Sequence, residues 1–315
     1  MEQFKKGLIE FNKQLSFGAI DFFNLNKLKN KNTDAIIIVG MGGSGQVGDM
    51  IAGLNKELNI PVPVIVWKNF GLPEINYKNP LFIFISFSGN TAETISGFKK
   101  VKNRAVVCSG GKLLKIAKKE RVPIAYFKDP GIKPRQGGGL MFYGAIGILK
   151  NIFQEIMVTS VKLENTEKEG RAIAKKIKNN IVLIYGSQKN EYLCYNWKTR
   201  LNETPKNPAF SGIIPEICHN EIEIFENKNF LSELIVLFIE DDSDTTTNKN
   251  IIKKIKKVFN KNGVKFISVA LKGKNELTRA WNALSLADWI SYYLAEENGL
   301  SPAKTNLIDE LKSLK

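Results

Sequence analysis

The sequence predicts an α/β protein built from two similar doubly wound parallel-sheet units in tandem, with flanking helices. Three observations carry this. Short Val- and Ile-rich runs in both halves are apolar on both faces, as buried parallel strands are. Helix-like segments alternate with them. Near residue 180 the order strand, small-residue turn, helix begins again. The expected domains are 1–155 and 156–315, the second including the terminal helix, with the charged stretch KLENTEKEG (162–170) at the joint.

In the first half the expected strands are AIIIVG, VPVIVW, PLFIFIS, RAVVCS and VPIAYF. Helices are expected in TAETISGFKKVKN and GKLLKIAKKER, and the Gly-rich apolar GGGLMFYGAIGILKNIF reads as a buried helix closing the unit. In the second half, NNIVLIYGSQKNEYLCYNWKTRL restarts the pattern. The strands LSELIVLFIE and VKFISVAL follow, separated by the helix NKNIIKKIKKVFN. Two helical patterns, ELTRAWNALSLADWISYYLAEENG and KTNLIDELKSLK, end the chain. Both units are expected to carry an anion-friendly turn at the C-terminal edge of their sheets, and tandem units often bind substrate in the cleft between them.

Composition narrows the function. The 315 residues suit two domains, and 43% are apolar, enough for real cores. No run reaches the ~20 apolar residues of a membrane span. The opening MEQFKKGLIEFNKQL reads as an amphipathic helix without the apolar core of a signal peptide. Three widely spaced cysteines, Cys108, Cys194 and Cys218, suggest reduced thiols in a cytoplasmic protein. A single histidine, His219, argues against a zinc centre, so no metal or other cofactor is expected. The net charge of +15 invites a nucleic-acid reading. The lysines, however, are scattered over helix faces such as RAIAKKIKNN, and no nucleic-acid motif accompanies them. The positive field still favours an anionic substrate.

Two glycine loops carry the chemistry. Gly40, Gly42 and Gly45 fit G-x-G-x-x-G after a strand. A dinucleotide site also wants an acidic residue after the next strand, and VPVIVW is followed by Lys68, Asn69 and Phe70. The lysine of a G-x-x-x-x-G-K-[ST] loop is missing too. The second loop, SFSGNTAET (86–94), places the hydroxyls of Ser86, Ser88 and Thr91 around Gly89 and Asn90 before an expected helix. One hydroxyl would make an ordinary helix cap. Three at the end of a buried strand favour a cradle for one phosphate monoester.

S-x-S-G-N-T resembles the phosphate loop of sugar isomerase (SIS) domains, whose first strand commonly ends in G-x-G-x-S, here residues 40–44. Over nearly its whole length the chain resembles the bifunctional phosphoglucose/phosphomannose isomerases of archaea and bacteria. The resemblance rests on GMGGSG, SFSGNTAET, KPRQGGG, RLNETPK, PEICHNEIE and TNLIDELK. It implies two tandem SIS-type domains. It also implies metal-independent interconversion of glucose 6-phosphate, mannose 6-phosphate and fructose 6-phosphate through a cis-enediol(ate).

The resemblance implies roles residue by residue. Ser86, Ser88 and Thr91 hold phosphate, and Gly43 and Ser44 lie against the sugar. Glu203 in RLNETPKNPAF is the base that moves a proton between C1 and C2. The NPAF run is less polar than the family pattern. Arg135 stabilises the enediolate, with Lys133 a solvent-facing neighbour. His219 opens the ring, reaching the site of a neighbouring subunit, which implies a homodimer. Lys312 assists at the ring oxygen, with Lys304 the competing candidate. Thr305 lies two helical turns before Lys312, on the same face. Where single-substrate phosphoglucose isomerases carry glutamine, this threonine leaves room for the open chain to turn about C2–C3.

Rival readings remain weaker. A phosphosugar-sensing regulator would leave RLNETPK and PEICHNE unexplained. An amino-sugar phosphate isomerase would lack the terminal lysine arrangement, and Thr305 argues against an isomerase restricted to one hexose. No nucleic-acid or membrane partner is expected.

Overall fold

The computed structural model describes residues 1–28 and 32–314. They form two compact units, Ile9–Val161 and a second made of Met1–Leu8 with Lys162–Lys315. The first helix, α1 (Glu2–Ile9), belongs with the second unit. Its buried stripe explains why: Phe4 stacks on Tyr292 and Lys5 pairs with Glu167 at 3.0 Å.

The unit Ile9–Val161 is a six-stranded sheet. It contains β1 (Asp21–Phe23), β2 (Ile36–Val39), α2 (Gly42–Gly53), β3 (Val64–Trp67), β4 (Leu81–Ser86), α3 (Ala92–Ser96), β5 (Arg104–Cys108), α4 (Gly111–Lys119), β6 (Ile124–Tyr126) and α5 (Gly138–Ile152). The strand order is β1-β6-β5-β4-β2-β3. All neighbours run parallel except β1, which pairs antiparallel with β6. β2 and β4 are buried along their whole length, the reason their sequences read as unbroken apolar runs. The helix expected after Thr91 is short. It stops at Gly97, whose Cα faces the Gly71 carbonyl so closely that a Cβ would lie 2.5 Å from that oxygen.

The second unit has a four-stranded parallel sheet in the order β10-β9-β7-β8. Its elements after α6 (Glu167–Ile177) are β7 (Ile181–Ser187), α7 (Glu191–Glu203), β8 (Ala209–Ile214), α8 (Lys228–Leu231), β9 (Leu234–Glu240), α9 (Thr246–Asn262), β10 (Phe266–Ala270), α10 (Glu276–Glu297) and α11 (Asn306–Ser313). β8 is a strand the hydropathy pattern hides, because Ser211 and Gly212 interrupt its apolar residues. It completes the sheet by pairing Val182 with Ala209 and the residues beyond. The core packs Tyr185, Val236 and Phe238 against Ile252 and Phe259 of α9. Cys108, Cys194 and Cys218 are free thiols. No helix among the described residues is long and apolar enough to cross a membrane.

Both sheets reverse strand order at the same topological point, between β2 and β4 and between β7 and β9. In the second unit the loop after β9 carries the buried Asp241, and two cations already belong to it. Arg279 Nε lies 3.3 Å and Lys189 Nζ 3.9 Å from its carboxylate. Ser243 donates to Asp241 Oδ1 from both its N–H (2.9 Å) and its hydroxyl (2.7 Å). Lys189 also pairs with Glu276 at 2.5 Å. Carboxylates and cations of the chain itself thus pair with one another at this edge.

Burial alone would raise the Asp241 carboxyl. Ser243 and the Arg279 and Lys189 cations outweigh it, and hold Asp241 below the ordinary aspartate value. A depressed native pKa stabilises the fold fully above the unfolded value of about 3.9 and is lost as pH falls through the native value. Asp241→Asn is therefore expected to destabilise the protein at pH 7 by about 3 kcal/mol. The gap from the wild type should shrink as urea unfolding is repeated at successively lower pH in acid.

Candidate active site

Three loops meet at the C-terminal edge of the first sheet. After β2 the chain enters α2 at Gly42, so Gly43 and Ser44 lie in the first turn, at the positive end of a 12-residue helix. After β4 come Ser86, Phe87 and Ser88. After β6 a longer excursion ends in the 3₁₀ turn Pro134–Gln136, which contains Arg135.

Contacts between these loops fix their relative positions. A Cβ on Gly43 would lie 3.2 Å from Arg135 Cα, so the two backbones touch. A Cβ on Gly137 would fall 2.2 Å from the Phe87 ring. Ser44 is buried, and its hydroxyl accepts the Phe87 N–H at 3.3 Å and donates to Met141 Sδ at 3.2 Å. The Arg135 turn is held in addition by Gln14, which donates to the Gln136 carbonyl at 2.9 Å. Lys133 is exposed, as expected.

The S-x-S-G-N-T loop closes on itself. Ser86 and Thr91 hydroxyls are 3.0 Å apart, and Ser86 Oγ accepts the Gly89 N–H at 3.0 Å. Ser88, exposed, accepts the Asn90 N–H at 3.2 Å. Gly89 adopts φ +65°, and a Cβ there would sit 1.9 Å from the Gly110 carbonyl oxygen. The loop after β4 thus lies directly on the loop after β5, and Asn90 Oδ1 accepts the Lys112 N–H at 3.0 Å. The sequence reading found the hydroxyls. It missed residues 110–112 as their support, since only the Gly110–Gly111 pair hints at it.

In the second unit, Glu203 is the last residue of α7 and half-buried. Arg200, one turn earlier, is locked by Asp288 at 2.8 Å and Asn196 Oδ1 at 3.0 Å. The following turn contains Lys206 at φ +57°. Lys206 Nζ donates to the Thr204 carbonyl at 2.9 Å and the Ser301 carbonyl at 2.8 Å. Lys206 therefore ties the Glu203 turn to the segment that leads into α11. Thr305 is the residue before that helix and donates to Asp309 Oδ2 at 3.1 Å. Lys304 and Lys312 are both exposed.

His219 is exposed at the end of a 3₁₀ turn, Glu216–His219, that follows β8. Glu203 precedes the same strand. At about 3.3 Å per residue, the six residues of β8 span roughly 17–20 Å. Glu203 thus precedes β8 and His219 follows it. α11 also leaves its apolar residues Leu307, Ile308 and Leu311 exposed.

Residues 166–314 match the family described as the bacterial phospho-glucose isomerase C-terminal SIS domain. The bifunctional phosphoglucose/phosphomannose isomerase of Aquifex aeolicus is 30% identical over 285 residues, 88% of this chain and 89% of that protein. The protein of the same description from Thermoplasma volcanium is 30% identical over 321 aligned positions, 98% of each chain. Among solved structures, the C-terminal domain of glucosamine-fructose-6-phosphate aminotransferase from Francisella tularensis is similar in fold. Its TM-score is 0.69 at 13% identity, covering 96% of this chain and 98% of that one. Two relatives matched nearly end to end, on a scaffold shared with other SIS proteins, lead to one conclusion: this chain belongs to the bifunctional phosphoglucose/phosphomannose isomerase family.

Proposed function

We propose that the protein is an aldose–ketose isomerase that interconverts glucose 6-phosphate, mannose 6-phosphate and fructose 6-phosphate without a metal. The observation that carries this reading is the convergence of three loops at one sheet edge. They bring Ser86, Ser88 and Thr91, the N-terminal turn of α2 and the Arg135 turn together. Hydroxyls and a helix N-terminus suit a phosphate monoester, and the neighbouring guanidinium suits a developing oxyanion. Family membership supplies the substrate class.

The roles follow from chemistry. Ser86, Ser88 and Thr91 hold the phosphate. Gly43 gives the sugar close access to the backbone, and Ser44 acts through Phe87, whose N–H it holds. His219 gives a proton to the ring oxygen and takes one from the O1 hydroxyl, which opens the ring. Lys312 assists at the ring oxygen. Glu203 then takes the proton from C2 of the open aldose, giving the enediolate, and returns it to C1, while a proton passes from O2 to O1. Arg135 stabilises the negative oxygen of that intermediate. Protonation of either face of C2, after rotation about C2–C3, yields the glucose or the mannose epimer. The protein acts as a homodimer in which His219 serves the neighbouring chain's sugar. The exposed Phe210, Ile224 and Phe230 on the segment around His219 support this. Free thiols fit a cytoplasmic enzyme.

A regulator that only binds the sugar would need no base, so Glu203→Gln separates it from an enzyme. The variant should lose about 10²–10⁴-fold in the isomerisation of both glucose 6-phosphate and mannose 6-phosphate, assayed in EDTA as fructose 6-phosphate formed, while still binding them. Full activity in the variant would overturn the assignment of the base. Thr305→Gln should lower mannose 6-phosphate turnover about tenfold or more relative to glucose 6-phosphate, the scale of a steric discrimination in a small pocket. An unchanged ratio of the two rates would remove Thr305 as the source of dual specificity.

A further inference from the structure

The turn that carries His219 is pinned to the sheet from below. Ile217 is buried at 2% exposure. Glu221, two residues after His219, accepts a hydrogen bond from the Tyr185 hydroxyl at 2.8 Å through Oε1. Tyr185 stands on β7, between β8 and β9, and is completely buried. Beneath the turn lies Gly212 of β8. A Cβ there would fall 2.6 Å from Ile217 Cγ2, 2.9 Å from Glu221 Oε2 and 2.9 Å from Tyr185 Cε1. Three side chains therefore meet over one glycine, and two of them, Ile217 and Glu221, flank His219 in sequence. Within the turn, Asn220 Nδ2 donates to Glu216 Oε1 at 2.9 Å, and the Glu221 N–H donates to Asn220 Oδ1 at 2.5 Å. Burial, with the charge of Glu221 beside it, pushes the Tyr185 phenol up, so it stays a neutral donor to the carboxylate.

We propose that Tyr185 is a positioning residue for His219: its hydroxyl, acting through Glu221, holds the histidine turn in the arrangement from which the imidazole opens the sugar ring. This rests on the reading of His219 as the ring-opening group. The interaction is unusual for a surface turn. An exposed imidazole has little of its own to fix it, so the turn's geometry comes from the ends, one buried by Ile217 and the other bonded to a core tyrosine. A hydrogen bond to a charged acceptor is the stronger kind, and its loss leaves a half-buried carboxylate over apolar surface.

Ring opening without proton transfer between carbons is anomerisation. It can be read as α/β exchange of glucose 6-phosphate by NMR on the full-length protein. Tyr185→Phe should slow enzyme-catalysed exchange about tenfold or more, as misplacement of a reacting group does. Glu221→Leu should match it. Glu221→Gln keeps an oxygen acceptor for the tyrosine and should restore exchange to within about threefold of wild type. A purely structural role for the pair would not follow that order, since all three variants would then track thermal stability. Wild-type exchange in Tyr185→Phe, or failure of Glu221→Gln to rescue in a folded protein, overturns the proposal. If Tyr185→Phe does not fold, the Glu221 pair carries the same comparison. His219→Ala is run beside them. Exchange at the wild-type rate in that variant would overturn the ring-opening role itself, and would be distinct from a failure of Tyr185 alone.

Discussion

Close backbone contact at one edge of the first sheet is the constraint on which the candidate site depends. The loop after β4 rests on the loop after β5 with the Gly89 and Gly110 backbones in direct contact, and Gly89 takes a left-handed conformation to do so. Beside it, Gly137 leaves room for the Phe87 ring, and Phe87 is held through its N–H by Ser44. Side chains at these glycines would push apart the elements that carry Ser86, Thr91 and Arg135. Hydroxyls, a helix N-terminus and a guanidinium can be brought to one small anion only if the chains bearing them approach this closely. Rigid elements beneath them, the fully buried β2 and β4, keep that approach from relaxing.

The second unit repeats the topology and departs from it at the same point. Where the first offers serines and a threonine after its switch strand, the second offers Asp241 and Ser243, with Lys189 and Arg279 drawn onto the carboxylate. The second edge carries internal ion pairs where the first carries hydroxyls. The candidate residues of this unit lie elsewhere. Glu203 sits at the end of α7, joined through Lys206 to the segment before α11, and His219 lies in the turn that follows β8. Duplication with unequal use explains why a two-unit chain can serve a single phosphosugar chemistry.

Much of this was legible from residues alone. AIIIVG and PLFIFIS read as buried parallel strands because β2 and β4 are covered on both faces. S-x-S-G-N-T marked the candidate loop, since three hydroxyls after such a strand have few structural explanations. What escaped depends on contacts between distant segments. The helix after Thr91 ends at Gly97 because of Gly71, twenty-six residues earlier in sequence. β8 is masked by Ser211 and Gly212, and Gly212 lies under a turn and a tyrosine that periodicity does not reveal. The ion pairing at the second edge needs residues 189, 241 and 279 together. The packing of α1 against Tyr292 joins the two ends of the chain. Motifs marked the candidate chemistry, while its supports, Gln14, Phe87, Lys206 and Tyr185, came from the three-dimensional structure.

The central claim is that one carboxylate moves a proton through an enediolate that can be reprotonated on either face. Incubation of fructose 6-phosphate with the enzyme in deuterium oxide, followed by NMR of the equilibrated sugars, tests it most directly. The account predicts deuterium at C2 of both glucose 6-phosphate and mannose 6-phosphate. Both epimers formed without solvent deuterium at C2 would contradict it, because hydrogen would then pass between the carbons without ever residing on an exchangeable acid.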